Sequence, residues 1–250
     1  MCRHIASLGP PAPLGELLTE PAHGLLRQSW APRRQRHGTV NADGFGVGWY
    51  ADGDPVPARY RRAGPVWADL SFADLVRVVH SRALLAAVRD ATEPGADGEA
   101  AAAPFASGPW LFSHNGAVAG WPGSMAPLAS ALPAAELLTL EARSDTALLW
   151  ALVLHRLRDG DELGQALADT VREVAAAAPG SRLNLLLTDG TTIAATAWGD
   201  SLWSLTSAGR RVVASEPYDD DPHWREVPDR TLLVATGADV LLSPLKESPL

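Results

Sequence analysis

The last third of the chain alternates short apolar runs with turn residues. From Arg182 onward, runs rich in Leu, Val, Ala and Thr are separated by Asp189-Gly190, Gly199-Asp200 and Gly237. A short apolar run bounded by turn signals is typical of a β-strand. The pattern therefore predicts strands at 182–188, 191–198, 201–206, 211–215, 231–236 and 239–243.

The first half of the chain mixes strand patterns with weaker helical ones. Strands are predicted at 2–8, 43–50, 80–85 and 110–114. The first is expected to end at Gly9–Pro11, because proline cannot donate to a strand ladder. Residues 14–30 are loosely helical, and Ser71 is placed to cap a short helix ending at Val79. The Ala-, Gly- and Pro-rich segment 90–108 predicts a mobile loop.

The clearest helix begins after Ser144, a good N-cap residue, and Ala147, Leu148, Ala151 and Leu152 then give it one apolar face. A second helix is predicted over 161–177. Strands at both ends with helices between them indicate a layered α+β fold. With no internal repeat and no long polar linker, residues 1–250 are expected to form a single domain.

Composition excludes several functions. The 21 basic and 29 acidic residues give a net charge of -8, which argues against nucleic acid as a partner. No apolar run is long enough to span a membrane, and the N-terminus lacks a signal-peptide core, so a cytoplasmic protein is expected. One cysteine excludes disulfides and Cys-based zinc sites, and the dispersed histidines predict no metal. No cofactor is expected, and the oligomeric state is left open.

The single cysteine, Cys2, is the most informative residue. Initiator methionine is usually removed when a small residue follows it, and loss of Met1 would place the thiol and a free α-amine on one residue. An α-amine with a pKa of about 7.7–8.0 is well matched to accept the proton of a thiol with a pKa of about 8.5. The alternative, a small hydrophobe at the start of a strand, has about equal weight from position alone.

Other candidates are weaker individually. Asn115-Gly116 offers a side-chain and a backbone N–H for an oxyanion, although Asn-Gly is also the commonest hairpin turn. Arg82 is suited to bind a carboxylate through two parallel hydrogen bonds, or is simply an exposed arginine. Asp145 either favours the helix dipole or binds a substrate ammonium.

Taken in order, these motifs resemble the class II glutamine amidotransferases, which are N-terminal-nucleophile hydrolases. The matching segments are Met1-Cys-Arg-His, Asn41-Ala-Asp-Gly-Phe-Gly, His80-Ser-Arg, His114-Asn-Gly and Ser144-Asp-Thr. The resemblance implies a four-layer αββα sandwich with two antiparallel sheets. It also implies Cys2 as nucleophile, Asn115 and Gly116 as oxyanion hole, Arg82 as the clamp on the glutamyl carboxylate and Asp145 as the group that binds the glutamyl ammonium. His80 and His114 flank this site and are expected to form structural hydrogen bonds.

Flanking segments narrow the resemblance to the ergothioneine-biosynthesis amidohydrolases. They are Ala31–Gly38, Leu183-Asn184, Thr196–Asp200 and Ala214–Asp221. The implied reaction removes glutamate from γ-glutamyl-hercynylcysteine sulfoxide. Its leaving group carries a trimethylammonium, for which Trp30, Glu216 and Asp219 are predicted contacts because aromatic faces and carboxylates attract cations.

Two other functions remain open. The proposed residues recognise only the glutamyl half, so a generic glutamine or γ-glutamyl hydrolase fits them equally well. That hydrolase would serve as an ammonia donor or act on glutathione-type peptides. A non-catalytic binding protein on the same fold is the more distant alternative. Three adjacent carboxylates at Asp219–Asp221 suggest a solvated turn rather than a metal site, because they cannot easily converge on one ion.

Overall fold

A computed structural model describes residues 2–91 and 98–246. The strands in this part of the chain are β1 (Arg3–Pro13), β2 (Phe45–Trp49), β3 (Ala58–Arg62), β4 (His80–Val88), β5 (Phe105–Ser107), β6 (Trp110–Ala117), β7 (Arg182–Thr188), β8 (Thr192–Ala197), β9 (Trp203–Ser207), β10 (Arg210–Ala214), β11 (Arg225–Glu226), β12 (Thr231–Thr236) and β13 (Val240–Pro244). The α-helices are α1 (Gly15–Leu18), α2 (Leu25–Gln28), α3 (Leu70–Val78), α4 (Ala126–Ala131), α5 (Ala134–Leu138), α6 (Asp145–Arg158) and α7 (Leu163–Ala177).

The strands form two antiparallel sheets. The first has the order β11-β9-β10-β1-β4-β2-β3, and the second has the order β13-β12-β8-β7-β6-β5. Strand β1 is therefore an interior strand, paired with β10 on one side and with β4 on the other. Strand β6 lies next to β7 in the second sheet.

Three apolar clusters show how the layers stack. One packs the first sheet against α1, α2 and α3, and includes Ile5, Leu84 and Phe72. The second lies between the two sheets and includes Ala6, Leu85 and Leu186. The third packs the second sheet against α6 and α7. Helices, sheet, sheet and helices follow one another, which confirms the predicted α+β fold with two antiparallel sheets between helical layers.

Helix α6 illustrates how local sequence sets this packing. The Ser144 hydroxyl accepts a hydrogen bond from the Ala147 amide at 3.2 Å and caps the first turn, as predicted. The helix then buries nine residues, including Trp150, which stacks on Phe112 of β6 with ring centroids 5.2 Å apart. This packing holds α6 against β6.

Several sequence predictions are corrected. Strand β1 does not end at Gly9 but continues to Pro13, with a register shift between Leu8 and Ala12 that accommodates the prolines. Strand β4 continues past Leu85 through the apolar residues that follow it. The loosely helical segment 14–30 forms only α1 and α2. Strand β3 and helices α4 and α5 were not predicted.

The segment 90–108 was predicted to be a mobile loop, and part of it is ordered structure. It contains a 3₁₀ turn at Gly98–Ala101 and strand β5, which pairs with β6. Phe105 is fully buried in the core between the second sheet and its helices. The many small residues of the segment concealed this one anchoring aromatic. Residues 92–97 of the same prediction lie outside the described chain.

Candidate active site

Cys2 precedes β1 at the end of the first sheet where β4 finishes. In the antiparallel pairing Arg3 lies opposite Val88, so Cys2 comes beside Arg89. Side chains alternate along a strand, and Ala6 and Leu8 of β1 lie in the cluster between the sheets. Cys2 lies an even number of residues before Ala6 and Leu8, so its side chain also faces the second sheet.

The partly buried Cys2 lines a cavity of about 250 Å³. Of the residues predicted for the site, His114, Gly116 and Asp145 line the same cavity. These residues come from β6 and the first turn of α6, so the cavity lies where the two sheets and α6 meet. The structure thus brings together four residues that are far apart in the sequence.

Asn115 is fully buried next to the cavity lining. Neither its side-chain nitrogen nor its side-chain oxygen has a hydrogen-bond partner among the described residues. Its neighbour on the same face of β6, Ser113, bonds across the sheets to the Nδ1 atom of His4 at 3.2 Å. The Asn115 side chain therefore faces the sheet that carries Cys2. A buried amide without a partner is costly, and an oxyanion would give it one.

Gly116 allows β6 and β7 to approach closely. A Cβ atom at this position would overlap the carbonyl oxygen of Arg182 and come within 2.7 Å of the His114 ring. Only glycine fits here. The Asn-Gly pair lies within strand β6 and not at a hairpin turn. This resolves the alternative that the sequence left open.

Asp145 is the first residue of α6. Its carboxylate accepts hydrogen bonds from the Val118 amide at 3.0 Å and from the Thr146 amide at 2.7 Å. These two bonds aim the side chain into the cavity and leave acceptor capacity on both oxygens. A fixed carboxylate in a cavity can bind an ammonium group.

His114 serves as a bridge beneath the cavity. Its Nε2 atom lies 3.0 Å from the Arg182 carbonyl oxygen, which can only accept, so Nε2 carries a proton. Its Nδ1 atom lies 3.1 Å from the Thr146 hydroxyl. Both ring nitrogens are occupied, in agreement with the expected structural hydrogen bonds. His114 ties β6 to β7 and to α6.

The thiol requires a base. Burial raises the pKa of the Cys2 thiol above its usual value, so the neutral form is favoured at neutral pH. The imidazoles of His4 and His114 are poorly suited to this role. Burial lowers the pKa of His4 to about 3, and the two nitrogens of His114 are already engaged.

Arg82 and His80 were predicted to belong to the site, but the structure places both of them elsewhere. Both are exposed near the opposite end of β4 from Cys2, and Arg82 forms an ion pair with Asp52 at 3.6 Å. Arg82 lies two residues before Leu84, so its side chain points to the same face of the sheet as Leu84, which packs against the helical layer. The Nδ1 atom of His80 lies 3.1 Å from the Val78 carbonyl oxygen. Neither residue lines the cavity with Cys2.

Arg89, rather than Arg82, is the arginine of this region that lines the cavity. It follows the last residue of β4, lines the cavity, and donates from Nη1 to the Asp43 carbonyl oxygen at 3.1 Å. Ending the predicted strand at Leu85 hid it. The apolar residues Ala86 to Val88 continue the strand, and this pattern would have placed Arg89 at its end.

The predicted contacts for the leaving group are also corrected. Trp30 lies outside the cavity, with its ring covered by the Arg27 guanidinium at 5.4 Å and packed edge-on against Trp67. Glu216 is fully buried and bonded within the protein. Asp219 accepts the indole N–H of Trp224 at 2.7 Å within a turn. None of the three faces the cavity.

Sequence reasoning did not assign to the site four further polar or aromatic residues that line the cavity. They are Asp90, Trp121, Arg143 and Thr146. Thr146 adjoins Asp145 in the motif that was recognised, and Asp90 adjoins Arg89. Trp121 and Arg143 lie in irregular segments on either side of α4 and α5, where no periodicity marks them. The residues that line the cavity thus include two arginines and two aspartates besides Cys2.

Neither a metal site nor a membrane span is found in the described chain. Within residues 2–91 and 98–246, no three His, Cys, Asp or Glu side chains are grouped so as to hold a metal ion. The helices of this part of the chain are all too short or too polar to cross a bilayer.

Comparison with known proteins places this site in context. Residues 24–208 match the family model described as glutamine amidotransferases class-II. The γ-glutamyl-hercynylcysteine sulfoxide hydrolase of Mycolicibacterium smegmatis is 44% identical over 98% of this chain and 100% of its own length. The protein of the same name from Mycobacterium tuberculosis is 43% identical, over 98% and 97%. A solved class-II domain protein from Silicibacter pomeroyi shares the fold, with a TM-score of 0.69, 24% identity and coverage of 98% and 100%.

Proposed function

The chain belongs to the class II glutamine amidotransferase family, and we propose that it hydrolyses the γ-glutamyl amide of γ-glutamyl-hercynylcysteine sulfoxide. The products are glutamate and hercynylcysteine sulfoxide, an intermediate of ergothioneine biosynthesis. The substrate assignment is supported by the two relatives of that name, which this chain matches over nearly its whole length.

Removal of Met1 precedes the reaction and makes Cys2 the N-terminal residue. The freed α-amine takes the thiol proton, and the thiolate attacks the γ-carbonyl carbon of the substrate. Negative charge then develops on the carbonyl oxygen, where the Nδ2 donor of Asn115, which bonds no other described residue, stabilises it. The α-ammonium returns its proton to the leaving amine as the C–N bond breaks.

A γ-glutamyl thioester on Cys2 remains. Water, deprotonated by the same α-amine, attacks the thioester carbonyl, and the C–S bond breaks to release glutamate and restore the thiol. Throughout, Asp145 holds the glutamyl ammonium and Arg89 holds the glutamyl carboxylate. The proposed partner of the glutamyl carboxylate is therefore Arg89 and not Arg82.

One observation carries this proposal: the sole thiol of the chain and Asp145 line one cavity, and beside it lies Asn115, a fully buried amide without a hydrogen-bond partner in residues 2–91 and 98–246. A thiol nucleophile, an ammonium acceptor and an oxyanion donor are the groups that cleavage of a γ-glutamyl amide requires. The proposal includes a cytoplasmic location, supported by the dependence on a free thiol, which a reducing compartment preserves.

The proposal is tested by comparing kcat/KM for γ-glutamyl-hercynylcysteine sulfoxide, glutamine and glutathione. Preference for the first substrate supports the assignment. Equal or greater activity on glutamine or glutathione identifies a generic γ-glutamyl hydrolase, and binding without turnover of any of the three identifies a non-catalytic protein.

The first testable prediction concerns the nucleophile. Cys2→Ala should abolish turnover, because no other thiol exists in the chain to form the thioester. Intact-mass measurement of the active wild-type protein should show that Met1 is absent. Normal hydrolysis by Cys2→Ala, or full activity in protein that still carries Met1, would contradict the mechanism.

A further inference from the structure

Glu216 is a fully buried carboxylate that the reaction described above does not use. Its Oε1 atom accepts the backbone N–H of Arg33 at 2.9 Å, and its Oε2 atom accepts that of Arg34 at 2.7 Å. Both oxygens therefore hold the start of one segment, residues 33–43, which runs between α2 and β2. A buried carboxylate with this geometry fixes the backbone that it binds.

The second partner of Glu216 is Arg3. The Nη1 atom of Arg3 lies 3.7 Å from Oε2 of Glu216, and both side chains are fully buried. The Nε atom of Arg3 donates to the carbonyl oxygen of Cys2 at 2.9 Å. Burial lowers the pKa of Arg3, which the Glu216 charge opposes. One side of this carboxylate thus leads directly to the peptide of the nucleophile.

The segment 33–43 leads from Glu216 to the cavity at its far end. The Asp43 carbonyl oxygen accepts Nη1 of Arg89 at 3.1 Å, and the Asp43 carboxylate accepts the Ala91 amide at 2.8 Å. Gly38, with a φ of 70°, passes so close to Asp90 that a Cβ atom would overlap its carboxylate. The segment therefore supports the residues that line the cavity beside Cys2.

We propose that Glu216 is a positioning residue with two arms. Through Arg3 it fixes the Cys2 peptide, and through residues 33–43 it fixes Arg89. It does not touch substrate, which corrects its predicted role as a contact for the leaving group. The role rests on the proposed function, since it assumes that Cys2 attacks and that Arg89 binds the glutamyl carboxylate.

The two arms predict different kinetic effects. Arg3→Met removes only the arm to Cys2 and should lower kcat while leaving KM unchanged. Glu216→Gln weakens both arms, because its NH2 group replaces one of the two oxygens that accept backbone N–H groups, and because Arg3 loses the carboxylate with which it forms its ion pair. It should lower kcat and raise KM. A misplacement of about 1 Å can cost up to about a hundredfold, so we expect kcat to fall by about tenfold to a hundredfold in both variants.

The structure offers a matched control, a second carboxylate that binds the same segment from outside it. Asp220 is an exposed carboxylate bound to the Arg33 guanidinium at 3.2 Å, and Asp220→Asn should retain wild-type kcat and KM. In Arg3→Met/Glu216→Gln, kcat should fall no further than in Glu216→Gln alone, since both changes break the same arm. Wild-type kcat in Arg3→Met or in Glu216→Gln, unchanged KM in Glu216→Gln, or multiplied losses in the double variant would overturn the proposal.

If Glu216→Gln does not fold, Glu216→Asp replaces it. This variant keeps the charge but shortens the side chain by one methylene. We therefore expect kcat to fall and KM to rise, each by less than in Glu216→Gln. Wild-type kcat and KM in Glu216→Asp would then count against the proposal.

A readout without substrate separates failure of this inference from failure of the proposed function. Iodoacetamide labels only Cys2, the single cysteine. Arg3→Met and Glu216→Gln should shift the labelling rate in the same direction, and Asp220→Asn should keep the wild-type rate. If the wild type cleaves no γ-glutamyl substrate, the proposed function fails but this shift still supports the positioning role. Equal labelling rates in all these proteins would overturn it.

Discussion

Arg82 lies on β4, and Arg89 lies just past its end, seven residues later. Because side chains alternate along a strand, this odd spacing directs the two side chains to opposite faces of the sheet. Arg89 lines the cavity with Cys2, whereas the Arg82 side chain is 62% exposed. A guanidinium group binds a carboxylate through two parallel N–H donors, which an ammonium group cannot reproduce. The pair therefore allows the clamp to be tested on one strand.

Arg89→Lys should lower kcat/KM for the γ-glutamyl substrate by roughly 30- to 150-fold. This corresponds to the loss of about 2–3 kcal/mol from a charge-assisted hydrogen bond. The same change at Arg82 should leave kcat/KM as in the wild type. Steady-state kinetics of the two variants decides the assignment, and a loss confined to Arg82→Lys would restore the original reading of the sequence.

At this scale the sequence predicted chemistry better than geometry. Cys2 and Asp145 were found because their chemical types sit in recognisable motifs, and both line the cavity. Trp30 and Glu216 were chosen for their chemical type alone, and the protein occupies both with its own groups. Whether a charged or aromatic side chain is free or already paired depends on residues distant in sequence, which no local pattern reveals.

At the scale of elements, the contact between β6 and β7 depends on Gly116. Gly116→Ala should lower the free energy of unfolding by about 1–3 kcal/mol or more, because the added methyl group overlaps the backbone of β7. Urea denaturation measures the loss. Gly237→Ala, where no atom lies within 4 Å of the added carbon, should stay within about 0.5 kcal/mol of the wild type. Similar losses in both variants would mean that close strand approach is not the cause.

The elements themselves were predicted unevenly, for physical reasons. Helix α6 was found because a capping serine and an apolar face coincide in one stretch. Strand β1 was cut short because prolines normally end a strand, whereas here a register shift accommodates them. Strand β5 was missed because its three residues are stabilised by pairing with β6 and by burial of Phe105, both of which are tertiary effects.

At the scale of the whole molecule, His4 links the two sheets and makes stability depend on pH. Its Nδ1 atom bonds Ser113, and burial, assisted by the positive charge of Arg3 and by His114, lowers its pKa to about 3. An unfolded histidine has a pKa of about 6.5. Between about pH 3 and pH 6.5, His4 is therefore protonated in the unfolded chain and neutral in the folded protein. The stability that neutral His4 contributes is complete above about pH 6.5 and is lost as the pH falls toward 3.

The contribution of His4 to the free energy of unfolding should fall by about 1.4 kcal/mol per pH unit in this range. Urea denaturation at pH 7.5 and 4.5 measures the fall. His4→Gln should show a smaller fall than the wild type, because it removes the titrating group. His80→Gln, which alters an exposed imidazole, should keep the wild-type fall. Equal pH dependence in His4→Gln and the wild type would assign the effect to other groups.

The interior position of β1 also bears on how the protein is made. The strand that follows the nucleophile pairs with residues 211–214, and His4 and Ser215 are joined across 211 positions of sequence. A ribosome delivers the N-terminal end first, so Cys2 emerges long before the partner that completes its sheet. A nascent or truncated chain that stops before β10 carries the thiol beside a strand that has only one of its two neighbours, β4. The pairing of β1 is therefore complete only after residue 214 has been synthesised.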